Sequence, residues 1–330
     1  MVMATGIVSI ASKLLGYHWI AVALFALNVA FYVVLCAMVS LRIVQHWRRV
    51  LDDLASHGRS VGFFTTVAGT CVLGSQFLVV GGMPRIATAL WILGITLWAL
   101  LTYAIFTTIT VKTAKPTLAE GIHGGWLVAV VAAQSVAVLG AQLAPTFEQY
   151  QRQVLFFCLA MWLGGGMLYI WIISLIFYRY TFFTLSPADL APPYWINMGA
   201  VAISSLAGTM LIAAAPHSLL LAALLPFIKG LTLLFWATAT WWIPMLVILG
   251  IWRHVYRRFP LRYDPLYWGA VFPLGMYTAC TIRLAQVIDD SSFLIAIPRV
   301  FVFIAYAAWL MTFAGLLYEL FGVVRGVRGT

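Results

Sequence analysis

Apolar residues run along this chain in long blocks, each cut by a short polar or basic connection, with no strand-like alternation. A helix that crosses a bilayer needs about 20 consecutive, mostly apolar residues. Stretches of that kind follow one another at 1–16, 19–42, 61–82, 85–110, 123–143, 153–178, 193–214, 225–252, 266–287 and 296–321. The pattern predicts an all-α polytopic membrane protein of ten transmembrane helices, forming a single transmembrane domain over residues 1–330. The opening string MVMATGIVSIAS has neither a basic lead nor a small-residue cleavage site, so it reads as the first membrane helix and not as a removable signal.

Polar residues are shared unequally among the ten blocks. Thr5, Ser9 and Ser12 fall on one face of the first. The third holds Thr65, Thr66, Thr70, Ser75 and Gln76, the fifth Gln134, Ser135 and Gln142, the seventh Asn197, Ser204, Ser205 and Thr209, and the ninth Thr278, Thr281 and Arg283. The even blocks carry long runs of Leu, Ile, Phe and Trp with fewer polar breaks, although the fourth is rich in Thr. This predicts an inner ring of odd helices inside an outer ring of even ones. For any single hydroxyl the competing account is a bond back to its own helix, or across to a neighbour as glue. Spacing adds an internal repeat. The string from Cys71 to Phe77 matches that from Ala137 to Leu143, and Gly6, Gly74, Gly140, Gly208 and Gly275 are separated by 68, 66, 68 and 67 residues. Five helical hairpins of one parent shape, arranged about an axis, account for that interval.

Composition agrees and narrows the function classes. The chain is 64% hydrophobic and 8% charged, whereas a soluble domain carries roughly 25% charged residues; a cytosolic enzyme, a secreted module and a disordered chain are excluded. The net charge of +10 comes from Lys and Arg scattered between apolar runs, which favours positive-inside loops over nucleic-acid binding. Arg42, Arg48, Arg49, Arg59, Lys112, Lys115, Arg179, Arg253, Arg257, Arg258, Arg262, Arg325 and Arg328 follow even blocks, and are thirteen of the 19 basic residues. Both termini are therefore expected in the cytoplasm, and the protein in the cell membrane as a multi-pass chain. None of the nine acidic residues falls near the centre of a block, which argues against a proton relay through a buried carboxylate and against a cation channel. A path without buried negative charge suits anions. Arg283, near the outer end of the ninth block, either raises their local concentration or snorkels to the interface. Cys36, Cys71, Cys158 and Cys280 stand apart within apolar stretches and read as small buried hydrophobes. No catalytic motif, metal-ligand set or cofactor fingerprint emerges.

The strings MVMATGIVSIAS (1–12), PPYWINMGAVAISSLAGT (192–209), WATATWWIPMLVILGIWRH (236–254) and YWGAVFPLGMYTACT (267–281) resemble the tellurite-resistance/dicarboxylate transporter family. That family includes the bacterial protein TehA, yeast malate and sulfite carriers and the slow anion channel of plant guard cells. The resemblance covers essentially the whole chain. It implies ten helices in five hairpins, a central pore inside the odd helices, and a homotrimer with one pore per subunit. It also implies a gating phenylalanine in the ninth helix, matched here by Phe272. Pro273 removes a helical hydrogen bond and kinks the chain beside it, which aims the preceding ring, with Gly275 completing the kinked segment. In the glycine register, Met3, Cys71, Ala137 and Ser205 share the layer of Phe272, and Ile7, Ser75, Ala141, Thr209 and Met276 form the next; Thr5 and Ser9 are also expected along the pore. Arg283, eleven residues beyond Phe272, returns to nearly the same face roughly 16 Å along the axis. Malate and other C4-dicarboxylates, tellurite or sulfite-like oxyanions and inorganic anions are the implied substrates. The alternative on the same fold is a proton-coupled dicarboxylate symporter, with His123 carrying the proton.

Overall fold

The computed structural model describes residues 1–324 of the 330, so Arg325 and Arg328 lie outside the described residues. Among those described, the long helices in chain order are α1 (Val2–Leu14), α2 (His18–Leu54), α3 (Phe64–Val79), α4 (Pro84–Val111), α5 (Val128–Leu143), α6 (Gln151–Phe182), α7 (Ile196–Ala214), α8 (Leu225–Ile251), α9 (Trp268–Val287) and α10 (Ala296–Val324). Eight of them are long and apolar enough to cross a membrane. The exceptions are α1, with 13 residues, and α9, whose apolar run is broken by Pro273 and Arg283. The second block differs most from expectation: its helix continues past residue 42 to Leu54 and breaks at His46 (φ −136°, ψ 37°).

Helices α3, α5, α7 and α9 are each entered through a 3₁₀ turn, at Ser60–Phe63, Gly124–Leu127, Pro192–Trp195 and Pro265–Tyr267. Each turn carries an aromatic residue, and aromatic rings favour the boundary between hydrocarbon and water. These entries lie at the end of the bundle that also holds most of the Lys and Arg, the basic end.

Packing divides the helices as their polarity predicts. α1 touches α3, α3 touches α5, α5 touches α7, α7 touches α9, and α9 returns to α1, closing a five-membered ring. Each even helix packs on the odd helix before it. The apolar stretches of α5 and α7 are 94% and 89% buried, those of α2 and α4 only 17%, so the even helices carry the outward-facing surface. Close approach at the repeat glycines makes the ring possible. A Cβ on Gly6 would lie 2.5 Å from Val72 Cγ1, and one on Gly275 2.9 Å from Ile7 Cγ2; Gly74 abuts Leu139, Gly140 Cys158 and Trp91, and Gly208 Thr232. In a bilayer, where lipid is as apolar as leucine, such backbone approach replaces the hydrophobic effect as the main source of helix association.

A second repeat, absent from the sequence reading, stitches the outer ring to the inner one. Trp91 of α4 donates to the Val136 carbonyl of α5 (3.0 Å), Trp162 of α6 to the Ser204 carbonyl of α7 (2.8 Å), Trp236 of α8 to Thr281 of α9 (3.0 Å) and Trp309 of α10 to Thr5 of α1 (3.0 Å). Tyr32 of α2 bonds Thr70 of α3 at 2.9 Å in the fifth position. Each even helix thus reaches forward to the next hairpin's inner helix, and five such bonds close the circle.

Candidate functional site

On the axis of the ring, towards the end away from the basic residues, the structure holds a narrow cavity of about 20 Å³, space for roughly one water molecule. All five inner helices line it. The walls are mostly aliphatic, with Ile7, Ile10 and Leu14 from α1, Val72 and Val79 from α3, Val138 from α5 and Ile203 and Leu206 from α7. The polar wall residues are Cys71, Ser75, Ser135, Gln142 and Arg283. Met276, Ala279 and Arg283 share one face of α9, and Phe272 lies one turn before Met276 on that face. Phe272 is 1% exposed and is not part of the cavity wall.

The surroundings of Phe272 are tightly set. The ring of Pro273 fills the place where Gly199 of α7 lacks a side chain: a Cβ there would meet Pro273 Cγ at 2.7 Å. On the other side Gly275 packs against Ile7 and Val8 of α1. The segment around Pro273 is therefore wedged between two neighbours of the ring.

Of the residues expected along the path, the structure brings Cys71, Ser75, Met276 and Arg283 to the cavity. It takes Thr5, Ser9, Ala137, Ser205 and Thr209 elsewhere. Thr5 accepts from Trp309, Ser9 donates to the Ala21 carbonyl of α2 (2.7 Å), Ser205 to the Thr232 carbonyl of α8 (3.4 Å) and Thr209 to the Leu206 carbonyl of its own helix (2.7 Å). A hydroxyl in an apolar surrounding turns to the nearest carbonyl, and for these four that carbonyl or indole lies on an outer helix or within the same one. In α5 the cavity-facing residues are Ser135, Val138 and Gln142, a different stripe from that of Ala137. Of the cysteines, Cys71, Cys158 and Cys280 are buried and Cys36 is exposed on α2.

Three wall groups have polar capacity to spare. Among the described residues Ser75 makes no hydrogen bond, the Gln142 side-chain oxygen, an acceptor, has no partner, and Arg283 bonds Gln286 (3.0 Å) with no carboxylate in ion-pair range. Gln142 and Ser135 carried no assigned role in the sequence; the i, i+7 spacing of the two was the available signal.

At the basic end, His123 sits before the turn into α5. Its Nδ1 accepts the Gly125 N–H (3.1 Å), which leaves the proton on Nε2, facing the Gly58 carbonyl (3.2 Å). Burial, and then the charge of Arg179, lower its pKa below the usual histidine value. Arg179 of α6 is itself buried and held by three protein groups. It donates to the Ile122 carbonyl (2.9 Å) and to the Tyr194 hydroxyl and pairs with Asp189 (3.4 Å). It thereby ties the linkers that lead into α5 and α7. Hydrogen bonds from Ser186 first, and the Arg179 charge after them, hold the Asp189 carboxyl below the usual range.

Comparison with known proteins completes the picture. An uncharacterized membrane protein of Mycobacterium tuberculosis is 40% identical over 155 residues, 46% of this chain and 77% of its own. Two uncharacterized transporters of Methanocaldococcus jannaschii are 26% and 25% identical, over 84% and 85% of this chain and 80% and 81% of their own. Residues 1–317 match the family described as voltage-dependent anion channel, SLAC1. With most of its length in apolar helices, an axial cavity inside their ring and that match across nearly the whole chain, this multi-pass membrane protein belongs to the SLAC1 voltage-dependent anion channel family.

Proposed function

We propose that the chain passes small anions along the axis of its inner ring, through a path of its own in each subunit, and that the ring of Phe272 closes this path. The cavity carries the reading: five inner helices supply its wall, its only charged wall residue is Arg283, and α9 presents Phe272 on the same face one turn deeper. All ten helices then cross the bilayer as five hairpins. The basic end lies in the cytoplasm by the positive-inside bias, and the cavity opens to the opposite side. Ser75 and Arg283 offer hydroxyl and guanidinium donors to an anion, and the aliphatic remainder gives no foothold to a cation. C4-dicarboxylates such as malate, tellurite or sulfite-like oxyanions and inorganic anions are the substrates to compare. No chemistry on the substrate is part of this reading. The homotrimer follows from the family resemblance, with three parallel paths.

The decisive experiment is reconstitution in liposomes with chloride, nitrate, sulfite and malate, each with and without voltage and pH gradients. Phe272→Ala is expected to raise anion flux about tenfold or more, the effect of removing about 1.4 kcal/mol from a barrier. Equal flux in parent and variant would sink the assignment of the gate. The proton-coupled alternative draws no support from His123, whose two ring nitrogens are both engaged in the neutral form; uptake that tracks an imposed pH gradient would revive it.

A further inference from the structure

The cytoplasmic end of α2 presents an open basic recess that the anion path does not use. At 1.5 Å per residue, a hydrocarbon core of about 30 Å takes about 20 residues of a helix. Trp19, 90% exposed at the start of α2, has the character of an interfacial anchor. Counting from it, the apolar region ends near Val39 and Ser40, and the remainder to Leu54 stands at headgroup level and beyond. There the helix breaks at His46, a position with neither proline nor glycine. Arg42 pairs with Asp53, eleven residues on. In a straight helix that interval spans about 16 Å, farther than the two side chains reach together, so the pair depends on the bend. Arg59 holds Asp53 from the other side (2.9 Å), and Lys112 of α4 donates to the Ala55 carbonyl (2.9 Å).

Beside the bend lies a wide-open surface recess of about 420 Å³ formed by Met38, Leu41, Arg42, Gln45, His46 and Arg49, all of them exposed and all on α2. Its lining is ordered along the membrane normal. Met38 and Leu41, exposed and apolar, lie at the hydrocarbon edge; the two arginines, the amide and the imidazole lie above them. Asp53 is shared between Arg42 and Arg59, which leaves positive charge in excess at the rim, with Arg49 in no ion pair among the described residues. We infer that this elbow holds the phosphate headgroup of an anionic phospholipid of the cytoplasmic leaflet, with its acyl chains along Met38 and Leu41. Cations stacked over aliphatic side chains suit a molecule that is anionic at one end and apolar at the other, and such a lipid is concentrated in that leaflet.

The test uses the full chain, purified and exchanged into nanodiscs of phosphatidylcholine alone or with phosphatidylglycerol, and released for native mass spectrometry. Phosphatidylglycerol is expected to stay bound, one per chain, in preference to phosphatidylcholine, and to raise the thermal midpoint where inorganic phosphate at matched concentration does not. Arg49→Gln is expected to weaken that retention about fivefold, the effect of one cation at the membrane surface. Gln45→Glu removes no existing ion pair, adds a negative charge at the rim, and is expected to act in the same direction, which guards against a fold defect in the arginine variant. Equal retention of the two lipids, equal protection by inorganic phosphate, or unchanged retention in both variants would overturn the inference.

Discussion

Each end of the inner ring carries a partly or fully buried arginine, and the two are treated in opposite ways. At the basic end Arg179 is held by a backbone carbonyl, a tyrosine hydroxyl and a carboxylate. At the cavity end Arg283 meets one neighbouring amide and faces open space. A buried guanidinium held by several protein acceptors is a structural brace, whereas one with a single protein bond beside a cavity is available to a passing anion. The same residue type therefore does two jobs, separated by the supply of acceptors around it.

The largest effect expected is on the brace. Arg179→Gln leaves the Ile122 carbonyl and the Tyr194 hydroxyl, as well as the partly exposed Asp189, short of their partner, and hydrogen bonds to a charged group contribute about 1.5–3 kcal/mol each. Thermal unfolding in detergent should show a large drop for Arg179→Gln and almost none for Arg283→Gln, since substitutions away from saturated contacts usually stay within about 0.5 kcal/mol. Similar drops for both would erase the distinction between the two ends.

Next in size is the wedge beside Phe272. Gly199→Ala pushes a methyl into the ring of Pro273, and overpacking of this kind costs about 1–3 kcal/mol. The segment yields on that side because Gly275 already meets α1 on the other. If Phe272 closes the path, Gly199→Ala is expected to lower stability and raise basal anion leak together. A stability loss with unchanged leak would separate the wedge from the gate.

How much of this was legible in the sequence depends on the kind of signal. The apolar blocks located every long helix, and the polar bias of the odd blocks located the ring, because a membrane leaves a chain few alternatives to helices. The facing of individual hydroxyls was not legible. Thr5 and Ser9 carry the same polarity as Ser75, yet two of them are spent on Trp309 and Ala21 and the third faces the cavity. Polarity says that a side chain needs a partner, not whether the partner is a neighbouring helix or a ligand. The tryptophans of the seam did leave a trace, since Trp91, Trp162, Trp236 and Trp309 recur at intervals of 71, 74 and 73, near the period of the glycines. The extension of α2 past residue 42 left no trace in hydropathy, because it is held by Asp53 and its arginines at headgroup level and not by lipid.

At the cavity end a smaller change is expected, and in flux instead of stability. Removing the charge in Arg283→Gln should reduce anion flux roughly fivefold at low ionic strength, about 1 kcal/mol, as befits one partly solvated charge. Arg283→Lys should restore most of it, since the guanidinium there makes only one bond to the protein. The difference should shrink as salt is raised and screening shortens the reach of the charge. An effect that persists in high salt would reassign Arg283 to packing.

The smallest effect expected separates the two ends by pH. His123 sits beside Arg179 with its Nδ1 accepting the Gly125 N–H, so a proton on Nδ1 would set donor against donor. Burial and the arginine's charge lower its pKa below the ordinary 6.5. A lowered pKa means that, as the pH falls, the unfolded chain takes up its proton before the folded one does. The contribution of His123 is thus complete above the ordinary value and is lost as the pH falls from there through the folded value. Thermal midpoints measured from about pH 8 down to about pH 5 should fall for the parent, and fall less steeply for His123→Gln. His57, lowered by burial and by Lys112 and Lys115, titrates in the same direction, so the slope difference between parent and variant is the quantity that counts. Anion flux over the same range, corrected for folded protein, should keep the same profile in both. Loss of pH-dependent flux in His123→Gln would move this histidine from the brace to the path.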